Sequence, residues 1–312
     1  MRTTTPGLKP LLLVLLLAWI AGSGCSLLRH AALSEIANTL ADSGTSFASD
    51  EDPELVKAAA PFSLKLLESL LAETPEHPGL LLAAARGFTQ YAFGFVQQEA
   101  EELEARDLAA ADTMRTRARR LYLRARQYGL RGLEVNHADF SRALLADPRA
   151  AVGATTRADV PLLYWTAAAW GGAISLSKDN PDLVAQLPAM EALIDRAGEL
   201  DDAYGRGAIH SFLITYEMSR QGQPGDPATR ARAHFERAMA LSKGTDAAPL
   251  VALAEAVAVQ QQNLKEFESL LGRALAIHPD AYPDTRLQNL IMQRRARWLL
   301  SRKAELFLIE GE

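Results

Sequence analysis

The sequence predicts an all-α protein, built of stacked antiparallel helical hairpins that form a compact solenoid. Three observations carry this expectation. Ala and Leu dominate, and Val, Ile and Thr never alternate with polar residues over a strand's length. Apolar residues recur at three- and four-residue steps in one segment after another, and Pro, Gly or Asp turns separate the segments. Three segment ends also resemble one another: RAGELDD at 196–202, RAMALSK at 237–243 and RALAIHP at 273–279. With 312 residues, 48% of them hydrophobic, the chain can bury a sizeable core.

The N-terminus reads as an export signal. Arg2 and Lys9 precede LLLVLLLAWI at 11–20, a ten-residue apolar run. A bilayer core needs about 20 residues, so the run fits a secretory signal and not a membrane span. Ala21-Gly22-Ser23-Gly24 follow, then Cys25, the single cysteine, so no internal disulfide can form. This pattern resembles the lipobox of bacterial lipoproteins, which implies cleavage before Cys25 and lipidation of its thiol. The alternative is an ordinary export signal with an incidental cysteine. Ser26 favours the outer membrane. The expected division is a signal peptide at 1–24, a lipidated tether with an N-terminal helix at 25–53, and the helical domain at 54–312. Acyl chains tether a protein without embedding it, so the domain is expected on the periplasmic face of the outer membrane. The formal net charge is −5; without residues 1–24, 31 basic residues face 38 acidic ones, a net of −7. That balance speaks against a nucleic-acid partner.

The helices follow in order. Within the acidic turn DSGTSFASDED at 42–52, Phe47 is expected to plug into the core. Asp52 and Pro53 open the first helix of the domain. A long helix at 80–103 carries Phe88, Tyr91 and Phe95; another at 114–135 carries Leu121, Ala125 and Tyr128. Glu99, Glu101, Glu102 and Glu104 crowd the end of the first, and Arg115, Arg117, Arg119, Arg120, Arg124 and Arg126 crowd the start of the second. In an antiparallel hairpin these runs lie side by side, so they either neutralise each other or leave a basic stripe for a partner. A short helix at 140–145 is stopped by Asp147-Pro148.

Residues 161–182, PLLYWTAAAWGGAISLSKDNPD, form the centre of the expected fold. On a helix, Trp165, Ala168, Ala169, Gly172 and Leu176 share one face, and Leu163, Ala167, Trp170 and Ile174 share another. A helix apolar on two sides is surrounded by other helices or walls a cavity. Further helices are expected at 186–200, 205–220, 227–241, 248–261, 264–277 and 285–309.

Catalytic spacings are absent: no His-Glu-x-x-His, no Gly-x-Ser-x-Gly, no P-loop and no Gly-x-Gly-x-x-Gly after a strand. The six histidines are scattered. His77 and His278, beside prolines, are expected to meet terminal helix carbonyls. His210 lies among Ile209 and Phe212, as a core or groove histidine, a ligand contact or a base. Asp201-Asp202 reads as a capping, solvated pair. No cofactor is implied, and the chain is not expected to be an enzyme.

Arg196, Arg237 and Arg273 stand 41 and then 36 residues apart, near the 34-residue tetratricopeptide period. Ala-x-x-Leu/Ile followed by Pro or Asp is what those repeats show at the end of their second helix, so the hairpins are divergent and TPR-like. Stacked hairpins of this kind leave a concave interaction surface.

The chain also resembles the T components of TRAP transporters, the TatT-like TPR-containing periplasmic lipoproteins. The resemblance rests on Ala31–Leu40 with GTSFASD at 44–50, GFTQYA at 87–92, FVQQE at 95–99, RLYLRA at 120–125, GLRGL at 129–133, Leu163-Tyr164-Trp165 with Trp170-Gly171, and Ala208-Ile209-His210 with Phe212-Leu213. It implies work with a periplasmic substrate-binding protein in the uptake of organic, hydrophobic ligands, and a homotrimer with a pore through each protomer. Tyr164, Trp165, Trp170, His210, Tyr91 and Phe95 are the ligand- or pore-lining candidates. The competing reading is a TPR-like lipoprotein that assembles envelope machinery and handles no solute.

Overall fold

The computed structural model describes residues 47–308, and every regular element among them is helical. The signal peptide, Cys25 and the tether therefore lie outside the described residues, apart from the tether's last stretch. Phe47 packs on the core. Helix α1 (Pro53–Glu73) starts as its sequence dictates, with the Asp52 carboxylate accepting from the N–H groups of Glu54 and Leu55. It buries Val56, Leu64, Leu67 and Leu71.

The expected helix at 80–103 is one rod in three parts. Helix α2 (Pro78–Tyr91) passes through a π-helical turn (Ala92–Gln97) into α3 (Gln98–Leu103). His77 opens α2 with Nδ1 accepting from Leu80 N–H, an N-terminal cap where a contact with C-terminal carbonyls was expected. Helix α4 (Leu108–Glu134) begins earlier than the pattern at 114 suggests, because the Asp107 side chain caps Ala110 and a Leu-Ala-Ala-Ala run continues the helix. It lies antiparallel to α2: Phe88 stacks on Tyr128 at 5.9 Å, and the Tyr122 hydroxyl donates to Gln97 at 2.7 Å. Helix α5 (Phe140–Ala146) is followed at once by α6 (Pro148–Val152). Asp147-Pro148, expected as a stop, is also a start: Asp147 caps Ala150, and proline suits a first turn.

Helix α7 (Val160–Ser175) is the expected central helix, packed between α2 and α4 on one side and α9 (Leu187–Leu200) on the other. A single turn, α8 (Pro181–Val184), links α7 to α9. The second half stacks α10 (Ala208–Glu217), α11 (Pro227–Leu241), α12 (Ala247–Leu253, extended by a π turn at Ala254–Ala258) and α13 (Leu264–Ala276). Gly207, at φ 94°, enters α10 where a Cβ would lie 3.0 Å from the Ala238 backbone. The expected helix at 285–309 is two helices, α14 (Arg286–Ser301) and α15 (Lys303–Leu306), broken at Arg302.

The core divides into two clusters, one reaching from Val56 to Leu213 and the other from Ile214 to Phe307, so adjacent residues of α10 feed both. The two clusters are also joined at the far end. Helix α14 returns to the first hairpin, contacts α1, and sets Ile291 against Gly94 of the π turn, where a Cβ would lie 3.3 Å from the Ile291 side chain.

This closure redirects the charges. Glu102 pairs with Arg294 at 2.8 Å, Glu101 with Arg295 at 2.5 Å, and Glu99 with Lys57 and Arg294. Arg295 also pairs with Glu255 and lies over the Trp298 ring at 4.3 Å. Among the described residues, Arg115 is the only member of the arginine run that pairs with a carboxylate of the glutamate run, Glu104 at 2.7 Å. Mutual neutralisation of the two runs is thus confined to one pair. The carboxylates are taken by arginines of a helix almost 200 residues further along the chain.

Candidate functional site

The described residues hold no set of three or more His, Cys, Asp or Glu placed to bind a metal ion, and no helix long and apolar enough to cross a membrane. What distinguishes the interior is α7. The face bearing Leu163, Ala167, Trp170 and Ile174 is buried throughout. On the other, Tyr164, Trp165, Ala168, Gly171 and Gly172 keep partial solvent access, at helical spacing, along a helix otherwise sunk in the core. This stripe is aromatic at its start and bare of side chains at its end.

Neighbouring aromatics border the stripe. Tyr164 meets Trp165 edge-on at 4.9 Å and Tyr204 at 5.4 Å. Burial pushes the phenols of Tyr164 and Tyr204 above their ordinary range, so both remain neutral hydrogen-bonding groups. At the other end Phe212, stacked on Tyr216 at 5.8 Å, lies 3.1 Å from where a Gly171 Cβ would sit. The Tyr122 ring would be 2.7 Å from a Gly172 Cβ. Glycine at these two positions lets the rings approach the backbone of α7 directly.

The six sequence candidates do not converge on one point. Tyr164 and Trp165 share the half-open stripe. Trp170 is 1% exposed and faces away, beneath the Arg126 guanidinium at 4.7 Å from its ring. Arg126 is held there by the Gln186 side chain at 2.9 Å. Trp170 therefore belongs to the packing of α7 on α4. Tyr91 and Phe95 touch each other at 5.8 Å on the α2 rod, both buried, with Arg117 reaching the Tyr91 hydroxyl at 3.4 Å. His210 sits apart, with its Nδ1 2.9 Å from Nδ1 of His234 on α11 and its Nε2 3.8 Å from Asp202. Asp201 pairs with Arg157 and Asp202 with Arg237.

Tyr204, Tyr122 and His234 were absent from the candidate set. Tyr204 was hidden in a turn, before Gly205 at φ 56°. Its only signal in the sequence is an aromatic beside the Gly205-Arg206-Gly207 run. His234 lies 24 residues after His210, and nothing in its helix pattern marks it.

A family model for the TRAP transporter T-component (TAtT) matches residues 49–307. A protein of Treponema pallidum (strain Nichols), itself uncharacterized, is 30% identical over 304 residues, covering 92% of this chain and 94% of that protein. The chain belongs to the TRAP transporter T-component family. It is thereby a TRAP transporter component.

Proposed function

We propose that this chain is the lipid-anchored, periplasmic binding component of a TRAP-type uptake system. It docks on the system's substrate-binding subunit and holds an organic ligand at the half-open start of the stripe, beside Tyr164, Trp165 and Ala168. The observation that carries the ligand assignment is the half-open face of α7 between Tyr204 at one end and Phe212 and Tyr122 at the other. Neutral phenols and an indole on a small-residue floor suit an apolar or aromatic molecule with a few polar groups. Anchoring at Cys25 and a homotrimeric assembly complete the reading, with the protein on the inner face of the outer membrane.

The test is co-purification. The full-length lipoprotein in detergent is mixed with the substrate-binding subunit of its TRAP system and passed over a sizing column with light scattering, and the eluted complex is analysed by native mass spectrometry. A stable complex carrying a bound small molecule supports the proposal. The two proteins eluting separately at tens of micromolar overturns the docking part. A chain that carries no small molecule in any preparation overturns the ligand part.

A further inference from the structure

Arginines withdrawn from water elsewhere in the molecule are answered by carboxylates. Arg220 pairs with Asp195 and Glu217, and Arg295 with Glu101 and Glu255. Burial lowers the pKa of the Arg295 guanidinium, and Glu255 and Glu101 more than offset it. Arg126 is different. It is half-buried, and it pairs with no carboxylate among the described residues. Its contacts are the Gln186 side-chain oxygen at 2.9 Å and the face of the Trp170 ring at 4.7 Å, and both are neutral. Burial lowers its pKa and no neighbour raises it. A guanidinium keeps its proton in a protein, so the charge stands without a counter-charge.

Arg126 also reaches the surface. It lines an open depression of about 660 Å³ along α4, together with Arg120, Arg124 and Arg131. The lining holds one carboxylate, Glu134, which accepts from the Ser141 N–H at 3.2 Å. Arg124 pairs with Glu68 at 3.3 Å, and Arg131 donates to the Pro75 carbonyl at 2.8 Å. Arg120 is exposed and makes no ion pair or hydrogen bond with any other described residue. The depression is therefore a recess of positive potential around a cation that lacks a partner.

We propose that this recess binds a small soluble oxyanion, a phosphate or carboxylate group, with Arg126 as its principal ligand. The inference goes beyond the proposed function: Trp170 faces away from the half-open stripe, so this is a second site. Gln186 occupies Nη1 of Arg126, which leaves the edge formed by Nε and Nη2 for a two-point contact with an oxyanion. That edge is recessed, with Nε closed to solvent and without a hydrogen-bond partner. A flat layer of lipid headgroups meets the exposed Arg120 first, whereas a small ion enters the depression. Arg126 belongs to α4, Trp170 to α7, and Gln186 stands just before α9. A bound oxyanion thus supplies the missing charge at the junction of three elements.

The test titrates the full-length protein with inorganic phosphate and with citrate at constant ionic strength, and reads calorimetric heat and the thermal melting midpoint. Arg126→Met keeps an apolar cover on Trp170 without the charge, and Arg126→Lys keeps the charge without the fork. The control is Arg297→Met, at an exposed arginine elsewhere. The wild type is expected to bind at least one of the two anions, with a midpoint that climbs over the titration. Affinity is expected to fall about tenfold or more in Arg126→Met, to fall by less in Arg126→Lys, and to hold in Arg297→Met. In oxyanion-free buffer Arg126→Met is expected to melt no lower than the wild type, because it removes a charge that has no partner. No response to either anion in the wild type overturns the inference. So does an equal response in the wild type and Arg126→Met, which is what general stabilisation by these salts produces. Arginine-dependent binding to phosphatidylglycerol vesicles, with no response to the soluble anions, overturns it in favour of the membrane. Should Arg126→Met fail to fold, Arg126→Lys decides alone, and an unchanged affinity in that variant overturns the inference.

Discussion

The Nδ1 atoms of His210 and His234 lie 2.9 Å apart, between α10 and α11. At that distance one nitrogen donates and the other accepts, so the two rings adopt opposite tautomers and share a single proton between them. A second proton at the junction would set two donors against each other. The surroundings act in the same direction. Burial lowers both histidines, and each is further lowered by a cation, Arg237 beside His210 and Arg220 beside His234. Asp202 beside His210, and Glu217 and Asp195 beside His234, pull the other way without reversing the shift.

Folding therefore keeps these histidines neutral at a pH where the unfolded chain protonates them. A lowered folded pKa adds nothing above the ordinary value of 6.5 and costs stability as pH falls below it, because the unfolded state binds more protons. The unfolding free energy from urea titrations is expected to fall from pH 7.5 to pH 5.5, by up to about 1.4 kcal/mol per pH unit for each histidine. The loss should shrink when both positions carry Asn. Glu68 and Glu266 are lowered instead, and their losses come below their ordinary 4.5, outside this window.

The two tryptophans of α7 are expected to separate stability from binding. Trp170→Ala removes a side chain that is 1% exposed, and a loss of about 3–5 kcal/mol is expected from chemical denaturation. Trp165→Ala, on the half-open stripe, is expected to cost less than about 2 kcal/mol while weakening ligand retention in the co-purified complex. Equal destabilisation by the two would place Trp165 in the packing as well.

Two glycines inside helices should respond with opposite signs. A Cβ at Gly129 would lie 2.1 Å from the Thr166 hydroxyl and 3.3 Å from the Thr166 backbone, so Gly129→Ala must push α7 away from α4. Overpacking of this kind costs about 1–3 kcal/mol. Gly272 is exposed in α13 and a Cβ there meets nothing within 4 Å. Gly272→Ala should stabilise by about 0.5–1 kcal/mol. Thermal melts of the two single variants check both signs.

Arg295 joins α14 to Glu101 of the first hairpin and to Glu255 of the second half, with 8% of its side chain exposed. Arg295→Ala is expected to cost about 1–3 kcal/mol, less than a fully buried pair because the Glu255 side chain is 41% exposed and can turn to water. The loss should be local. Amide hydrogen exchange is expected to speed up in α14 and α3 before the rest of the body.

The helical architecture was legible because its punctuation is chemical. Asp52-Pro53 and Asp226-Pro227 each open a helix where the sequence reading put one, since a carboxylate cap followed by proline satisfies the first turn. The π turns at Ala92–Gln97 and Ala254–Ala258 left no such mark. A shift of hydrogen-bond partner by one residue changes neither composition nor, over so short a length, the apolar period. Asp147-Pro148 shows that one dipeptide both stops and starts.

The site was half legible. Aromatic and small residues marked α7, but the half-open face is rotated from the one helical geometry assigned: Ala169, expected on it, is fully buried, while Tyr164 and Gly171, expected on neither face, line it. Which face stays half-open depends on what covers the other. Arg126 and Gln186, the residues that seal Trp170, come from two other helices and carry no signal for that role. The charges of the long hairpin misled for the same reason: Glu101 and Glu102 found nearer partners in space than in sequence.

The return of α14 to the first hairpin bears on how the molecule acquires its structure. An open repeat array can nucleate anywhere and grow toward either end, and needs special terminal repeats to finish it. Here the two ends finish each other. Glu101 and Glu102 wait for Arg294 and Arg295, so the first hairpin is incomplete until a segment almost 200 residues further on has emerged. That long-range closure slows assembly relative to a purely local helical stack. It also makes the last two turns of α14 a requirement for the integrity of the first hairpin, so a chain that ends before Arg294 loses order at its beginning.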